Sequence, residues 1–209
     1  MKTKSERLFE EFLILNGYAF EKIKEETTPR PDYRVSIAGA RVVFELKELA
    51  KDKDFGVVRD PSRPHIKSFT RIVGDHIRRR IEGSRKQVQF ASDQGFPTVL
   101  LIYNSVDPVF QLFGTEPHDF LTAMYGELTL ILNRETGAAS DLFNGKNQLL
   151  QEQKNTSFSA LGHLCDRGGT TTVTLFENVF ARIKIPYHCL PRSFEVHKFE
   201  ISTDPVTLR

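Results

Sequence analysis

The chain of 209 residues has 39% hydrophobic and 27% charged residues, a composition that fits a globular protein with a sizeable core and excludes a disordered one. Its net charge of +2 excludes a global positive field, so any attraction for polyanions must come from a local basic surface. There is no secretory signal pattern and no apolar run long enough to span a membrane. Two cysteines, Cys165 and Cys189, agree with a reducing compartment, and we expect a cytoplasmic protein.

The first predicted element is an amphipathic helix from Ser5 to about residue 16. Gly17, which can adopt the left-handed backbone conformation, is predicted to end it. Its acidic residues, Glu6 among them, fit either a solvated helix face with favourable N-terminal charge or a functional role. A short strand is predicted next, at residues 18–23.

Residues 31–49, PDYRVSIAGARVVFELKEL, predict a β-hairpin in which two runs of β-branched and aromatic residues flank a glycine-containing turn. The alternation of apolar and polar residues favours a loop with an even number of residues, because an odd loop would mix the two sets on both faces. In the even register Asp32 lies opposite Glu45, and Lys47 follows on the same face.

The two opposed carboxylates have Cβ atoms roughly 4.5–5.5 Å apart in this register. Like charges at that separation repel each other unless a cation lies between them or water screens them. Mg²⁺ takes oxygen ligands from one or two carboxylates and leaves its other positions to water and phosphate. The hairpin therefore predicts a metal site with an adjacent ammonium group.

After the hairpin, residues 51–65 combine prolines, a glycine and mixed charge, which predicts a loop. From Ile66 to Ile81 the apolar residues recur at helical spacing, which predicts a helix with a basic opposite side. Between Arg59 and Lys86 there are nine Lys or Arg residues and three acidic ones. This excess fits phosphate binding, and it also fits a solubilising helix face. The candidate nucleic-acid contacts are Lys67, Arg71, Arg78, Arg79, Arg80 and Lys86.

The helix is predicted to resume through Gln87 to about residue 93, and the apolar run at 97–103 predicts a strand buried on both faces at the sheet centre. The later predicted elements are a helix at 115–124, a strand at 127–132, a loop-like stretch at 133–155, strands at 158–165 and 171–176, and an irregular or edge tail. This order predicts an α/β fold with a mixed central β-sheet flanked by helices. We expect one domain over residues 1–209, with a core at about 5–135 and a C-terminal extension at about 136–209 that adds strands.

Common signatures of nucleotide binding and hydrolysis are absent, including GxxxxGK[ST], GxSxG and HExxH. What the chain does contain is Pro31-Asp32, then a spacing of thirteen residues to Glu45, then the run Glu45-Leu46-Lys47. This pattern resembles the PD-(D/E)xK nuclease superfamily, which has the restriction-endonuclease-like fold.

Two further residues extend the resemblance, which covers about residues 5–104. Glu6 stands eleven residues before the glycine that ends the first helix, as in Holliday-junction-resolvase-like members. Gln87 stands ten residues before the apolar strand that begins at Pro97, where many members carry a glutamine.

The resemblance implies a catalytic set and its cofactor, which is Mg²⁺ with Mn²⁺ as the alternative. Lys47 would position and polarise the attacking water, and Gln87 would orient Lys47 or contact the nucleic-acid backbone. The implied metal ligands are Asp32, Glu45, the backbone carbonyl of Leu46 and Glu6.

The function implied by the resemblance is metal-dependent hydrolysis of phosphodiester bonds, with an endodeoxyribonuclease as the specific expectation. The expected partner is nucleic acid, in particular DNA. No association with a membrane is expected, and the formation of a homodimer is left open. Because the superfamily also contains members that only bind, one alternative is an inactive binding module on the same fold. Another is an α/β interaction protein whose polar hairpin face is simply solvated.

Overall fold

The computed structural model describes residues 2–24, 28–49, 72–105 and 115–201, together with Ser62 and two short strands at 57–59 and 67–69 whose side chains are not described. It has an α/β fold built on a mixed sheet with helices on both faces, as the sequence predicted. The helices are α1 (Lys4–Leu15), α2 (Asp75–Gly83), α3 (Arg85–Asp93) and α4 (Pro117–Tyr125), with a short 3₁₀ turn at Tyr187–Cys189.

Among the described residues, seven strands form the main sheet, and two hairpins lie outside it. The strands are β1 (Phe20–Lys22), β2 (Tyr33–Ile37), β3 (Ala40–Leu49), β4 (Val57–Arg59), β5 (Lys67–Phe69), β6 (Thr98–Asn104), β7 (Leu128–Thr129), β8 (Phe143–Asn144), β9 (Ala160–Arg167), β10 (Thr170–Glu177) and β11 (Phe194–His197). The main sheet has the spatial order β1-β2-β3-β6-β9-β10-β11, and the hairpins are β4-β5 and β7-β8.

The centre of the sheet is β6, whose seven residues are all buried, as its continuous apolar run predicts. It pairs in parallel with β3 on one side and with β9 on the other. Strands β9, β10 and β11, all beyond residue 135, complete the same sheet, so the extension predicted at 136–209 supplies nearly half of its strands.

Two hydrophobic clusters cover the two faces of the sheet. On one face, α1 packs Phe9, Phe12 and Leu13 against the apolar residues of β2 and β3. On the other face, α2, α3 and α4 pack against β6, β9 and β10. None of the described helices is long and apolar enough to cross a membrane.

Several predicted boundaries are wrong. The helix predicted from Ile66 begins at Asp75, because residues 67–69 form β5 paired with β4. The first helix is capped by Thr3 rather than Ser5, and the helix predicted at 115–124 is preceded by Glu116 as its N-cap. The strand predicted at 127–132 is regular only at Leu128–Thr129.

Candidate active site

The β2–β3 hairpin has the predicted even register, with Ile37 opposite Ala40 and Tyr33 opposite Phe44. The regular ladder ends at this second pair, and the N–H of Asp32 donates to the carbonyl of Phe44 at 3.0 Å. Continuing the same register by one residue places Asp32 beside Glu45, and the charge of Asp32 acts on the Glu45 carboxyl. The sequence pattern therefore fixed the one register that brings the two carboxylates together.

Glu45 is the buried member of the carboxylate pair, with an exposed fraction of 2%. Its Oε1 lies 2.6 Å from Nζ of Lys47, whereas its Oε2 has no hydrogen-bond partner in the part of the chain that the structure describes. Burial and the nearby charge of Asp32 raise the pKa of Glu45 to about 7, against the opposing effect of Lys47. One carboxylate oxygen is thus buried without a hydrogen-bond partner among the described residues, on a group whose pKa lies near neutral pH.

Asp32 is oriented by the neighbouring strand, since its Oδ2 accepts a hydrogen bond of 2.7 Å from the N–H of Leu46. Burial raises the pKa of Asp32, and the charge of Glu6 adds to this effect. The hydrogen bond from Leu46 and the charges of Lys47 and Lys22 oppose it. The site is therefore a carboxylate pair whose charge is only partly offset.

The backbone carbonyl of Leu46 belongs to the same group of oxygens. In an antiparallel ladder the N–H and C=O of one residue point to the same side of the strand. Because the N–H of Leu46 points at Asp32, its carbonyl also faces the Asp32 side of β3. This carbonyl and the two carboxylates form an all-oxygen donor set of the kind that Mg²⁺ prefers.

Glu6 lies near this set but is held by other groups. It is part of a capping box with Thr3 at the start of α1, and its Oε1 lies 2.6 Å from Nζ of Lys22. Burial alone would raise the pKa of Glu6, but the hydrogen bonds from Lys22 and Thr3 outweigh it and lower the pKa. Lys22 was not among the predicted site residues, because the pairing of β1 with β2 that positions it depends on contacts outside the hairpin motif.

Gln87 lies on α3, which packs against β3 and β6. Ala91, one turn later on the helix, and Val43 of β3 line the same small cavity of about 180 Å³. Because residues four apart share a helix side, Gln87 is on the side that faces β3, and its side chain is half-buried. Within the described ranges Gln87 makes no hydrogen bond to Lys47.

The predicted basic contacts have different environments. Arg78 is buried, and its guanidinium donates to the carbonyls of Val73, Thr122 and Asn147 at 3.2 Å each. The guanidinium of Arg78 thus binds the protein's own backbone and is not an exposed contact for phosphate. Arg80 is half-buried and donates to the carbonyl of Glu48.

The exposed basic residues that remain are Arg79, which pairs with Asp75 at 3.3 Å, and Lys86. Arg71 and the side chain of Lys67 lie outside the described residues. The basic surface that the structure describes on α2 and α3 is thus smaller than the sequence predicted.

A cleft of about 460 Å³ lies on the same face of the sheet. Lys47, Ile102 and His163 form one row across β3, β6 and β9, so the backbones at His163 and Lys47 are two strand spacings, roughly 10 Å, apart. Burial and the charge of Arg167 lower the pKa of His163 to about 4, which keeps the imidazole neutral at pH 7. The β10 residues that line the cleft are Thr170, Thr172, Thr174 and Phe176. The alternating threonines of TTTVT are the sequence signal for this lining.

No family model, curated protein or solved structure matches this chain. The likeness to PD-(D/E)xK nucleases therefore rests on the residues quoted above and stays a prediction. Across residues 2–24, 28–49, 72–105 and 115–201, no group of three or more His, Cys, Asp and Glu side chains is placed to hold a metal. The donor set is the carboxylate pair with a carbonyl, and a bound ion would complete its shell with water or phosphate oxygens.

Proposed function

We propose that this protein is a metal-dependent nuclease that hydrolyses phosphodiester bonds in nucleic acid, with DNA cut endonucleolytically as the specific expectation. The observation that carries the proposal is the Asp32–Glu45 pair, in which Glu45 is buried and Asp32 is half-buried, with Nζ of Lys47 at 2.6 Å from Glu45. Burying two like charges is costly. A divalent ion bound between the two carboxylates would offset that cost, which explains why the hairpin carries such a pair.

The residues present fit Mg²⁺ by the chemistry of their donors and by the unpartnered Oε2 of Glu45. Asp32, Glu45 and the carbonyl of Leu46 would hold the ion, and Glu6 would contribute through water, since Lys22 occupies its Oε1. When bound, the ion supplies positive charge against the phosphoryl oxygens of the scissile bond.

The chain's own groups have separate tasks in this proposal. Lys47 has a partly exposed ammonium anchored on Glu45, so it donates a hydrogen bond to the attacking water and holds that water beside the phosphate. The N–H of Leu46 fixes the orientation of Asp32. Arg79 and Lys86, both exposed, attract the phosphate backbone of the substrate.

The test is a cleavage assay of the purified protein on duplex, single-stranded and branched DNA and on RNA, each with Mg²⁺, with Mn²⁺ and with EDTA. The proposal expects cleavage of at least one substrate with metal and none with EDTA. Asp32→Asn keeps the side-chain shape and should abolish cleavage, whereas Asp141→Asn, an exposed aspartate far along the chain, should leave it unchanged.

If the protein binds nucleic acid but does not cleave it, the inactive binding module becomes the better hypothesis. In that case affinity for nucleic acid survives EDTA and is the same in Lys47→Ala as in the wild type. The absence of both cleavage and binding would contradict any role in nucleic-acid chemistry.

A further inference from the structure

Two arginines line the small pocket between the β2–β3 hairpin and α3. Arg30 comes just before the hairpin, and Arg34 lies on β2. The pocket has a volume of about 180 Å³, and among the described residues that line it these two arginines alone are charged. The lining therefore favours an anion.

The pocket is on the sheet face that carries the carboxylate pair. Arg34 pairs with Val43, which also lines the pocket. Arg34 comes two residues after Asp32, and Val43 comes two residues before Glu45. Residues two apart on a strand share a face and are separated by roughly 7 Å. The carboxylate pair thus has the pocket on one side and Lys47 on the other.

Both guanidinium groups pack on aromatic rings. Cζ of Arg30 lies 5.5 Å from the ring centroid of Phe90, and Cζ of Arg34 lies 5.1 Å from the ring centroid of Phe96. A ring beneath a guanidinium restricts the side chain but does not use the N–H groups in its plane. The two charges are therefore held in position before any ligand binds, which lowers the entropic cost of binding.

Arg34 has one guanidinium edge directed away from its carboxylate partner. Its Nη1 donates to Oε2 of Glu21 at 3.1 Å. The Glu21 side chain is 66% exposed, so this pair offsets little of the charge. Nε of Arg34 is buried and has no hydrogen-bond partner among the described residues. Nε and Nη2 form the edge that binds a phosphate through two parallel hydrogen bonds.

We propose that this pocket binds the phosphate next to the scissile one on the substrate strand, an inference that rests on the proposed nuclease function. Its volume is below the roughly 300–1,000 Å³ of pockets that enclose a whole drug-sized ligand, so it fits a phosphate group and not a whole nucleotide. With the scissile phosphate at Asp32 and Glu45, the neighbouring phosphate of an extended strand lies one nucleotide away, which matches the separation of the pocket from the carboxylates.

The first experiment does not depend on cleavage. Inorganic phosphate is titrated into the full-length protein in metal-free buffer by isothermal calorimetry, with acetate as the carboxylate comparison. The wild type should bind phosphate more tightly than acetate, and Arg34→Gln and Arg30→Gln should each weaken phosphate binding roughly 10–100-fold. The control is Arg134→Gln, which removes an exposed arginine between β7 and β8 and should bind phosphate as the wild type does.

Three results of this titration would overturn the pocket. The first is a wild type that binds no phosphate, and the second is acetate bound as tightly as phosphate. The third is equal phosphate affinity in the wild type and in both pocket variants.

The second experiment changes the substrate and keeps the wild-type protein. On the best substrate, the phosphate on either side of the scissile one is replaced, one at a time, by a neutral methylphosphonate. One of the two replacements should slow single-turnover cleavage by the wild type roughly 10–100-fold. The same replacement should have little further effect in Arg34→Gln, because the side chain that contacts this charge is already missing.

The outcomes separate this inference from the proposed function. Equal slowing of the wild type and Arg34→Gln, or no slowing by either replacement, would overturn the pocket and leave the nuclease proposal intact. A wild type that cleaves nothing would overturn the proposed function and with it the assignment to a substrate strand. The phosphate titration would then still decide whether Arg30 and Arg34 form an anion pocket.

Discussion

Lys47 and Glu45, two residues apart on β3, meet through Nζ and Oε1 at 2.6 Å. The carboxylate is buried, and the lysine side chain is partly exposed, so the pair spans from the sheet interior to solvent. The contact leaves Oε2 of Glu45 without a partner among the described residues. It also holds the ammonium at one of the carboxylates that would hold a divalent ion.

The raised pKa of Glu45 predicts a pH dependence of stability in the metal-free protein. The pKa of Glu45 is about 7 in the folded protein, against a reference value of 4.5. At a pH between these two values, the folded state therefore keeps a proton on Glu45 that the unfolded state has released. The free energy of unfolding therefore falls as pH rises through this window. The loss is on the order of 3 kcal/mol, at about 1.4 kcal/mol per pKa unit.

Glu45→Gln should remove that slope, and urea unfolding in EDTA between about pH 5 and pH 8 measures it. His163 acts in the opposite direction: burial and Arg167 lower its pKa to about 4 from 6.5, so its contribution to stability is lost as pH falls through this range. The variant keeps His163, and the difference between the two proteins isolates Glu45. Equal slopes in the wild type and Glu45→Gln would show that Glu45 does not titrate in this window.

Divalent metal should stabilise the protein through the carboxylate pair. A ligand at about 100 times its Kd adds about 2.7 kcal/mol, which for a chain of this size raises Tm by roughly 5–10 °C. Mg²⁺ should produce such a shift in the wild type at pH 8, and Asp32→Asn should abolish it. An equal shift in Asp32→Asn would place metal binding elsewhere in the chain.

Arg78 and Arg79 are adjacent residues on α2 for which the structure predicts opposite effects. Arg78→Ala leaves three backbone carbonyls without their donor and should cost about 3 kcal/mol or more of stability. Arg79→Ala loses an exposed pair with Asp75 and should cost under about 0.5 kcal/mol. Urea unfolding of the two variants checks this contrast, and similar losses would contradict the assignment.

For nucleic-acid binding, Arg79 is the relevant residue of the two. Arg79→Ala should weaken binding at low salt and reduce the slope of log K against log salt by about 1, the change expected for one phosphate contact. A fluorescence anisotropy titration in EDTA at several salt concentrations measures this slope. An unchanged slope would indicate that Arg79 only solubilises the helix.

The hairpin site was predictable because it depends on local rules. Period-2 alternation set the register that opposes Asp32 to Glu45, and the segregation of apolar residues set the face on which Lys47 lies. The cap of α1 depends on equally local contacts, but the sequence predicts it at Ser5, whereas Thr3 forms the capping box with Glu6. Each of these features follows from neighbours in sequence or across one turn.

The start of α2 depends instead on a distant contact. Gly74, its N-cap, has a φ of 75° and packs so closely on α4 that a Cβ would lie 2.8 Å from the carbonyl oxygen of Asp119. Its N–H donates to Oδ1 of Asp119 at 3.2 Å. Helical spacing from Ile66 onward contains no information on this contact, so the pattern extended the helix too far. The burial of Arg78 against α4 was hidden for the same reason.

The central claim is that Asp32, Glu45 and Lys47 act together in phosphodiester hydrolysis. The most direct test is the single-turnover cleavage rate of the wild type beside Lys47→Ala, on the best substrate with Mg²⁺, with Lys154→Ala as an exposed lysine control. We predict a loss of roughly 10²–10⁴-fold in Lys47→Ala and a rate within a few-fold of the wild type in Lys154→Ala. Equal rates in the wild type and Lys47→Ala, or no cleavage by either, would contradict the claim.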